Sequence, residues 1–123
     1  MTPEQQRIAI AEACGWRGIS PQLLVGYAPW RKEAYSDRVN ACPVGDLDCF
    51  PFDPLPEYLS DLNAMHGAED VIGPKWTTYC ETLLAIVEPE PRSLEVCHYW
   101  NLLHATAAQR AEAFLKTIDK WTN

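Results

Sequence analysis

The sequence contains no run of about 18 apolar residues, which is the length that a helix needs to span a bilayer. Its first residues, MTPEQQRIAIAEACGW, also lack the basic and then apolar order of a secretory signal peptide. From these two absences we expect a cytoplasmic protein that does not associate with a membrane.

The common catalytic signatures are absent as well. The chain contains no GxGxxG, Walker loop, GxSxG or HExxH motif, so the usual nucleotide-binding and hydrolase patterns do not apply. Its five cysteines are an odd number without a CxxC pair, and we expect free thiols rather than a disulfide framework. Cys97 and His98 are adjacent, so on a strand they would point to opposite faces, although His104 could in principle reach another thiol. We therefore predict no catalytic residue and no cofactor.

Two groups of residues resemble metal ligands only weakly. His66 and Asp70 are four residues apart and could share a helical face, but two ligands do not make a site without partners from elsewhere. The loop from Cys42 to Cys49 mixes thiols with aspartates at a spacing that fits neither zinc nor calcium. We predict that the protein has no metal site.

Basic residues are missing from residues 39 to 74, and this segment carries all of the charge imbalance. Its seven acids account for the net charge of −7, because the other acids equal the Lys and Arg residues in number. Binding to duplex nucleic acid is disfavoured, since it requires a basic surface. Asp46, Asp48 and Asp61 could instead present an acidic surface to a basic protein partner, whereas the simpler interpretation is a solvated face that keeps the protein soluble.

Two capping boxes predict helices near the ends of the chain. Thr2 and Gln5, with Pro3 at the first helical position, predict the first helix. Thr106 and Gln109 predict a helix that starts at Ala107. The apolar stripe of the second helix leaves its charged residues, including Arg110, outside the buried face. That stripe consists of Ala111, Phe114, Leu115, Ile118 and Trp121.

The middle of the chain predicts two more helices and a few short strands. Apolar spacing indicates a helix from Pro56 to Ile72, and a further helix from Pro74 that buries Trp76 and stops before Pro89. Residues 23–27, 38–42 and 94–101 have strand character, with a helix as the rival interpretation of the last segment. We predict a single α+β domain over residues 1–123, with a small antiparallel or mixed sheet flanked by about four helices in an α/β/α sandwich. Residues 17–55 form a loop-rich, variable excursion within it.

The excursion contains an aromatic and basic stretch, GYAPWRKEAYSDR. Trp30 and Tyr35 alternate there with Arg31 and Arg38, a combination that could stack a base and hold a phosphate. The same residue types are enriched in the hot spots of protein interfaces. The alternative is that Trp30 and Tyr35 anchor an irregular segment to the core while the charges stay solvated.

Three stretches carry a resemblance to a known family: MTPEQQRIAIAEACGW, PEYLSDLNAMHGAEDVI and HATAAQRAEAFLKTIDKW. They resemble, in the same order, recurring blocks of small phage and prophage proteins with the phage ABA sandwich domain. The resemblance implies a helix, sheet, helix sandwich encoded by a bacteriophage and working in the host bacterial cytoplasm. It brings no catalytic motif. Similar proteins tend to have Glu where this chain has Gly67.

Three functions follow as hypotheses. The leading one is a non-enzymatic phage accessory protein that binds a host bacterial protein, for example a counter-defence inhibitor such as an anti-CRISPR protein. The second is a binder of a small ligand or nucleotide signal that uses Trp30, Arg31, Tyr35 and Arg38. An enzyme that depends on a thiol or a metal is the third, and the oligomeric state stays open.

Overall fold

A computed structural model describes residues 1–30, 52–88 and 98–123 of the chain. Within these ranges a three-stranded antiparallel sheet accompanies five α-helices, so the predicted α+β class is confirmed. The elements in chain order are α1 (Pro3–Ala13), β1 (Arg17–Ser20), β2 (Val25–Tyr27), β3 (Asp53–Pro54), α2 (Leu62–Glu69), a 3-10 turn (Gly73–Lys75), α3 (Trp76–Val87), α4 (His98–Leu103) and α5 (Ala107–Thr117). None of the helices in these ranges is long and apolar enough to cross a membrane.

Both predicted capping boxes are confirmed. At α1 the Thr2 hydroxyl accepts from the Gln5 amide at 3.2 Å, and the Gln5 side chain accepts from the Thr2 amide at 2.9 Å. Thr106 and Gln109 make the same reciprocal pair at α5, at 3.1 and 2.9 Å. These bonds satisfy amide groups that have no partner within the helix, so each helix begins at a position set by local sequence.

The sheet is small and runs in the order β1, β2, β3. Arg17 pairs with Tyr27 across the first two strands, and Gly26 pairs with Asp53 across the second two. A Cβ atom on Gly26 would lie 3.1 Å from the Ile19 side chain, so the two strands approach closely because this residue has none. The predicted strand at 23–27 overlaps β2, β1 was not predicted, and the predicted strand at 38–42 lies outside the described residues.

Helix α5 occupies the centre of the core. It packs against α1, α2 and α3, and its Ala111, Phe114 and Leu115 are fully buried. Their neighbours in the same apolar cluster include Ile10 of α1 and Met65 of α2. The terminal helix therefore holds the other helices together, as its apolar stripe predicts.

Several predictions about the middle of the chain are wrong in detail. The helix expected from Pro56 begins only at Leu62, because the Asp61 side chain caps it and residues 58–60 form a turn. Trp76 was expected inside, yet it begins α3 and is 50% exposed. Residues 98–103 form α4, which is the rival helix interpretation of the segment for which strand character was favoured, and 94–97 lie outside the described residues. Arg110 was placed outside the buried face of α5, but it is 8% exposed.

Candidate functional site

Two of the seven candidate binding residues lie within the described ranges. Trp30 follows the sheet and is 68% exposed, and Asp61 caps α2. The other five, which lie outside the described residues, are Arg31, Tyr35, Arg38, Asp46 and Asp48. The site is therefore built from what surrounds Trp30 and Asp61.

Trp30 stands beside Trp16 at the edge of an apolar groove. The two indole rings meet edge to face, with their centroids 5.3 Å apart and an interplanar angle of 85°. Trp16 is buried, so it holds one side of the exposed ring in a defined position. The groove has a volume of about 260 Å³ and is called the Trp30 groove below. Its lining residues are Cys14, Trp16, Pro29, Trp30, Pro56, Tyr58, Ala64, Gly67, Ala68 and Val71.

Three parts of the chain are brought together to form the Trp30 groove: the end of α1, the segment after β2, and the segment from Pro56 into α2. Arg7 of α1 holds the third part, the segment that begins at Pro56, in position. Its guanidinium donates to the Pro56 carbonyl at 2.8 Å and to the Leu55 carbonyl, and it pairs with Glu57 at 3.2 Å. One arginine therefore sets the position of the groove wall that carries Tyr58.

The lining of the Trp30 groove carries no charged side chain among the described residues. Burial raises the pKa of the Cys14 thiol above its ordinary value, and a hydrogen bond with Tyr58 opposes only part of that effect. The thiol is therefore protonated at neutral pH and is a poor nucleophile. The groove suits contact with apolar groups better than it suits chemistry.

Gly67 lies in the middle of α2 on the wall of the Trp30 groove. A Cβ atom built on this residue meets no atom of a described residue within 4 Å, so none of the described neighbours requires a glycine there. Its φ is also outside the left-handed region that favours glycine. A glycine inside a helix costs about 1 kcal/mol relative to alanine. Residues 1–30, 52–88 and 98–123 supply no steric or conformational reason for this cost.

Asp61 and Asp70 lie just before and just after α2, and both residues are exposed. The Asp61 carboxylate accepts from the Asn63 amide at 2.9 Å and the Ala64 amide at 3.4 Å, so this candidate binding residue also has a structural role. A carboxylate at the start of a helix is additionally stabilised by the helix dipole. The helix that forms one wall of the Trp30 groove thus has an exposed acid at each end.

A buried ion pair between Glu69 and Arg110, which the sequence pattern does not predict, also involves α2. Arg110 donates to Glu69 Oε2 at 3.3 Å, to the Ala105 carbonyl at 3.2 Å and to the Leu102 carbonyl at 2.8 Å. Glu69 is 6% exposed. The pair ties α2 to α5 and to the segment between α4 and α5. The burial of Arg110 could have been inferred from the sequence, because Arg110 lies near the apolar residues Ala107, Ala111 and Phe114 on the helix surface.

Two further depressions adjoin this ion pair. One has a volume of about 260 Å³ and lies against Trp76, Tyr79, Leu103 and Arg110. Burial raises the pKa of the Tyr79 hydroxyl, and the nearby Glu69 carboxylate adds to this increase. Among the described residues, this hydroxyl has no hydrogen-bond partner of ordinary geometry. The other is an open cleft beside His66 and Asp70.

His66 does not pair with Asp70 as a two-ligand metal site would require. Its Nδ1 atom instead lies 3.0 Å from Glu69 Oε1. In the part of the chain that the structure describes, no group of three or more His, Cys, Asp or Glu side chains could hold a metal ion. The cysteines in that part, Cys14 and Cys80, are free thiols.

No family model matches this chain, and neither a curated protein nor a solved structure matches it. A proposal about its function therefore draws on the chain's own geometry and on the resemblance of its sequence blocks.

Proposed function

We propose that this chain is a phage-encoded, non-enzymatic accessory protein that binds a host bacterial protein in the host cytoplasm, and that the Trp30 groove is its docking surface. Binding would inhibit the host protein, and a defence system such as CRISPR is the class of target we propose. The phage and host setting draws on the sequence resemblance. The observation that carries the docking surface is an indole that is 68% exposed and contacts the buried Trp16 at the edge of a groove whose described lining is uncharged.

Exposure of so large an apolar ring is unfavourable in the free protein and favourable once a partner covers it. Interface hot spots are enriched in Trp and Tyr, and they lie in pockets from which water is excluded. Trp30 is prepared for this role, because its contact with Trp16 limits the freedom that it would lose on binding. Truncation of such a residue typically costs about 2 kcal/mol or more, which is roughly a thirtyfold loss of affinity.

The geometry supports a protein partner better than a nucleotide. Sites for small molecules usually enclose about 300 to 1,000 Å³ with a few placed polar or charged groups, and the Trp30 groove falls below that range. Its described lining offers no Lys or Arg to a phosphate. A protein, in contrast, needs to place only one or two side chains in the groove.

In-cell photo-crosslinking tests this proposal. A benzoylphenylalanine at Val71, which lies at the exposed edge of the groove, should form a covalent adduct with a host protein, whereas the same residue at the exposed Glu81 of α3 should not. Trp30→Ala in the Val71 chain should remove the adduct. If Val71 captures no host protein, or if both positions capture the same proteins equally, the proposal is wrong.

A further inference from the structure

We infer that the Trp30 groove takes one large apolar side chain, flanked by Lys or Arg, from its protein partner, and that Gly67 is the residue that keeps the groove open for it. This inference rests on the proposed function and specifies the chemistry of the partner. It assigns a role to a glycine for which the fold itself supplies no reason.

The first step concerns Gly67. No atom of a described residue lies within 4 Å of the position that its Cβ would occupy, and the residue is on the wall of the groove. A longer side chain at this position would extend into space that none of the described neighbours fills. The alanines at positions 64 and 68 also line the groove, so α2 contributes small residues to the same groove that Trp30 lines. A helix surface of this kind admits a bulky group from outside.

The second step concerns size and polarity. A groove of about 260 Å³ has room for one large side chain with part of its backbone, and its walls are aromatic, aliphatic or sulfur-containing. The polar side chains of the described lining are few, and Tyr58 lies close to two of the others, Cys14 and Trp16. An occupant therefore finds apolar contacts and no charged side chain among the described lining residues, which favours Trp, Phe, Leu or Met.

The third step concerns charge. Asp61 and Asp70 are exposed at the two ends of the helix that forms the groove wall. Residues 39–74 contain no Lys or Arg, and the two arginines that reach this part of the fold, Arg7 and Arg110, pair with Glu57 and Glu69. Basic residues on either side of the apolar side chain would complement these carboxylates. Complementary charges of this kind increase the association rate and the specificity more than the final affinity.

The test uses a display library of random twelve-residue peptides selected against the full-length protein. Enriched peptides should share one Trp, Phe, Leu or Met with a Lys or Arg within two positions. The best peptide, labelled with a fluorophore, is then titrated against the wild type, Gly67→Leu and Asn63→Leu. Asn63 is an exposed residue of α2 outside the groove lining, which makes it a matched control for an added leucine.

We expect Gly67→Leu to weaken peptide binding at least tenfold and Asn63→Leu to change it less than twofold. Gly67→Leu should also raise Tm, because leucine is a better helix former than glycine. A more stable protein that no longer binds cannot owe the loss to unfolding. This combination separates a blocked groove from a damaged fold.

Three results would overturn the inference. The first is that Gly67→Leu binds the peptide with the same affinity as the wild type. The second is that the selection enriches no motif or an acidic motif. The third is that the protein forms a concentration-dependent dimer that Gly67→Leu abolishes. The dimer would assign the groove to a second copy of this chain. The proposed function fails on a different result, the absence of a Val71 adduct in cells, so the two failures are distinguishable.

Discussion

Replacement of Glu69 by glutamine changes the interior of the protein without changing its shape. The substitution removes the negative charge that lies 3.3 Å from the Arg110 guanidinium, in a place where both residues are more than nine-tenths buried. The guanidinium keeps its bonds to the carbonyls of Ala105 and Leu102 but loses its counter-ion. An uncompensated positive charge is then held inside the folded protein.

The cost follows from how strongly burial penalises a lone charge. Removal of one partner from a buried ion pair typically costs about 3 to 5 kcal/mol. We expect a value near the lower end, about 3 kcal/mol, because the glutamine oxygen can still accept from Arg110. Small domains are stable by about 5 to 15 kcal/mol, so this loss is a large fraction of the total.

Urea denaturation followed by far-UV circular dichroism measures the effect. Glu112→Gln is the matched control, since Glu112 pairs with Lys116 at 2.9 Å in a solvated i, i+4 position. Pairs of that kind contribute only about 0.3 to 0.5 kcal/mol. If Glu69→Gln lowers the free energy of unfolding no more than Glu112→Gln does, the ion pair between Glu69 and Arg110 does not stabilise the fold as we describe.

Further predictions concern the cap, the thiol and the acids. Asp61→Ala should lower the free energy of unfolding by about 1 kcal/mol while Asp61→Ser leaves it nearly unchanged, because serine can also cap α2; equal urea midpoints for the two variants would contradict this. Burial raises the pKa of the Cys14 thiol. The contribution of the protonated thiol to the free energy of unfolding is therefore fully present below the ordinary thiol pKa of 9.0 and is lost as the pH rises above that value. Alkylation of Cys14 at pH 8, followed by peptide mass spectrometry, should accordingly be slower in the folded protein than in urea, and equal rates would refute the assignment. Asp61→Ser combined with Asp70→Asn should slow association with the selected peptide and weaken its salt dependence in stopped-flow experiments, and an unchanged salt dependence would remove these acids from the interface.

The sequence predicts those elements that are determined by neighbouring residues. Thr2 and Thr106 fix the starts of α1 and α5 through bonds to residues three positions away, and both predictions are confirmed. The start of α2 was misplaced although Asp61 is a preferred capping residue, because the apolar residues before it were counted as helical. Tyr58 is indeed buried, but on a turn rather than on a helix.

Features that depend on distant residues were not predictable in the same way. Arg110 is buried because Glu69, 41 residues earlier in the chain, accompanies it, and no local pattern reveals such a partner. Strand β1 exists because Val25–Tyr27 pairs with it, and its own four residues have little strand character. Residues 98–103 have strand propensity but form α4, because tertiary context outweighs such a propensity.

The candidate site was partly visible in the sequence. The aromatic and basic stretch includes Trp30, and Gly67 is a position where similar proteins tend to have Glu. What the sequence could not provide is that the end of α1, the segment after β2 and the wall of α2 meet around one groove. That arrangement depends on tertiary packing, including the three contacts that Arg7 makes with residues 55–57.

The central claim is that the Trp30 groove binds a host protein, and the yield of the Val71 photo-adduct in bacterial cells measures this most directly. The crosslinker is placed at Val71 in otherwise wild-type, Gly67→Leu and Asn63→Leu chains, and the adduct is identified and quantified by mass spectrometry. We predict the same host protein from the wild-type and Asn63→Leu backgrounds, and at least a tenfold lower yield from Gly67→Leu. An equal yield from all three chains would contradict the account, because the groove would then be blocked without any effect on the partner.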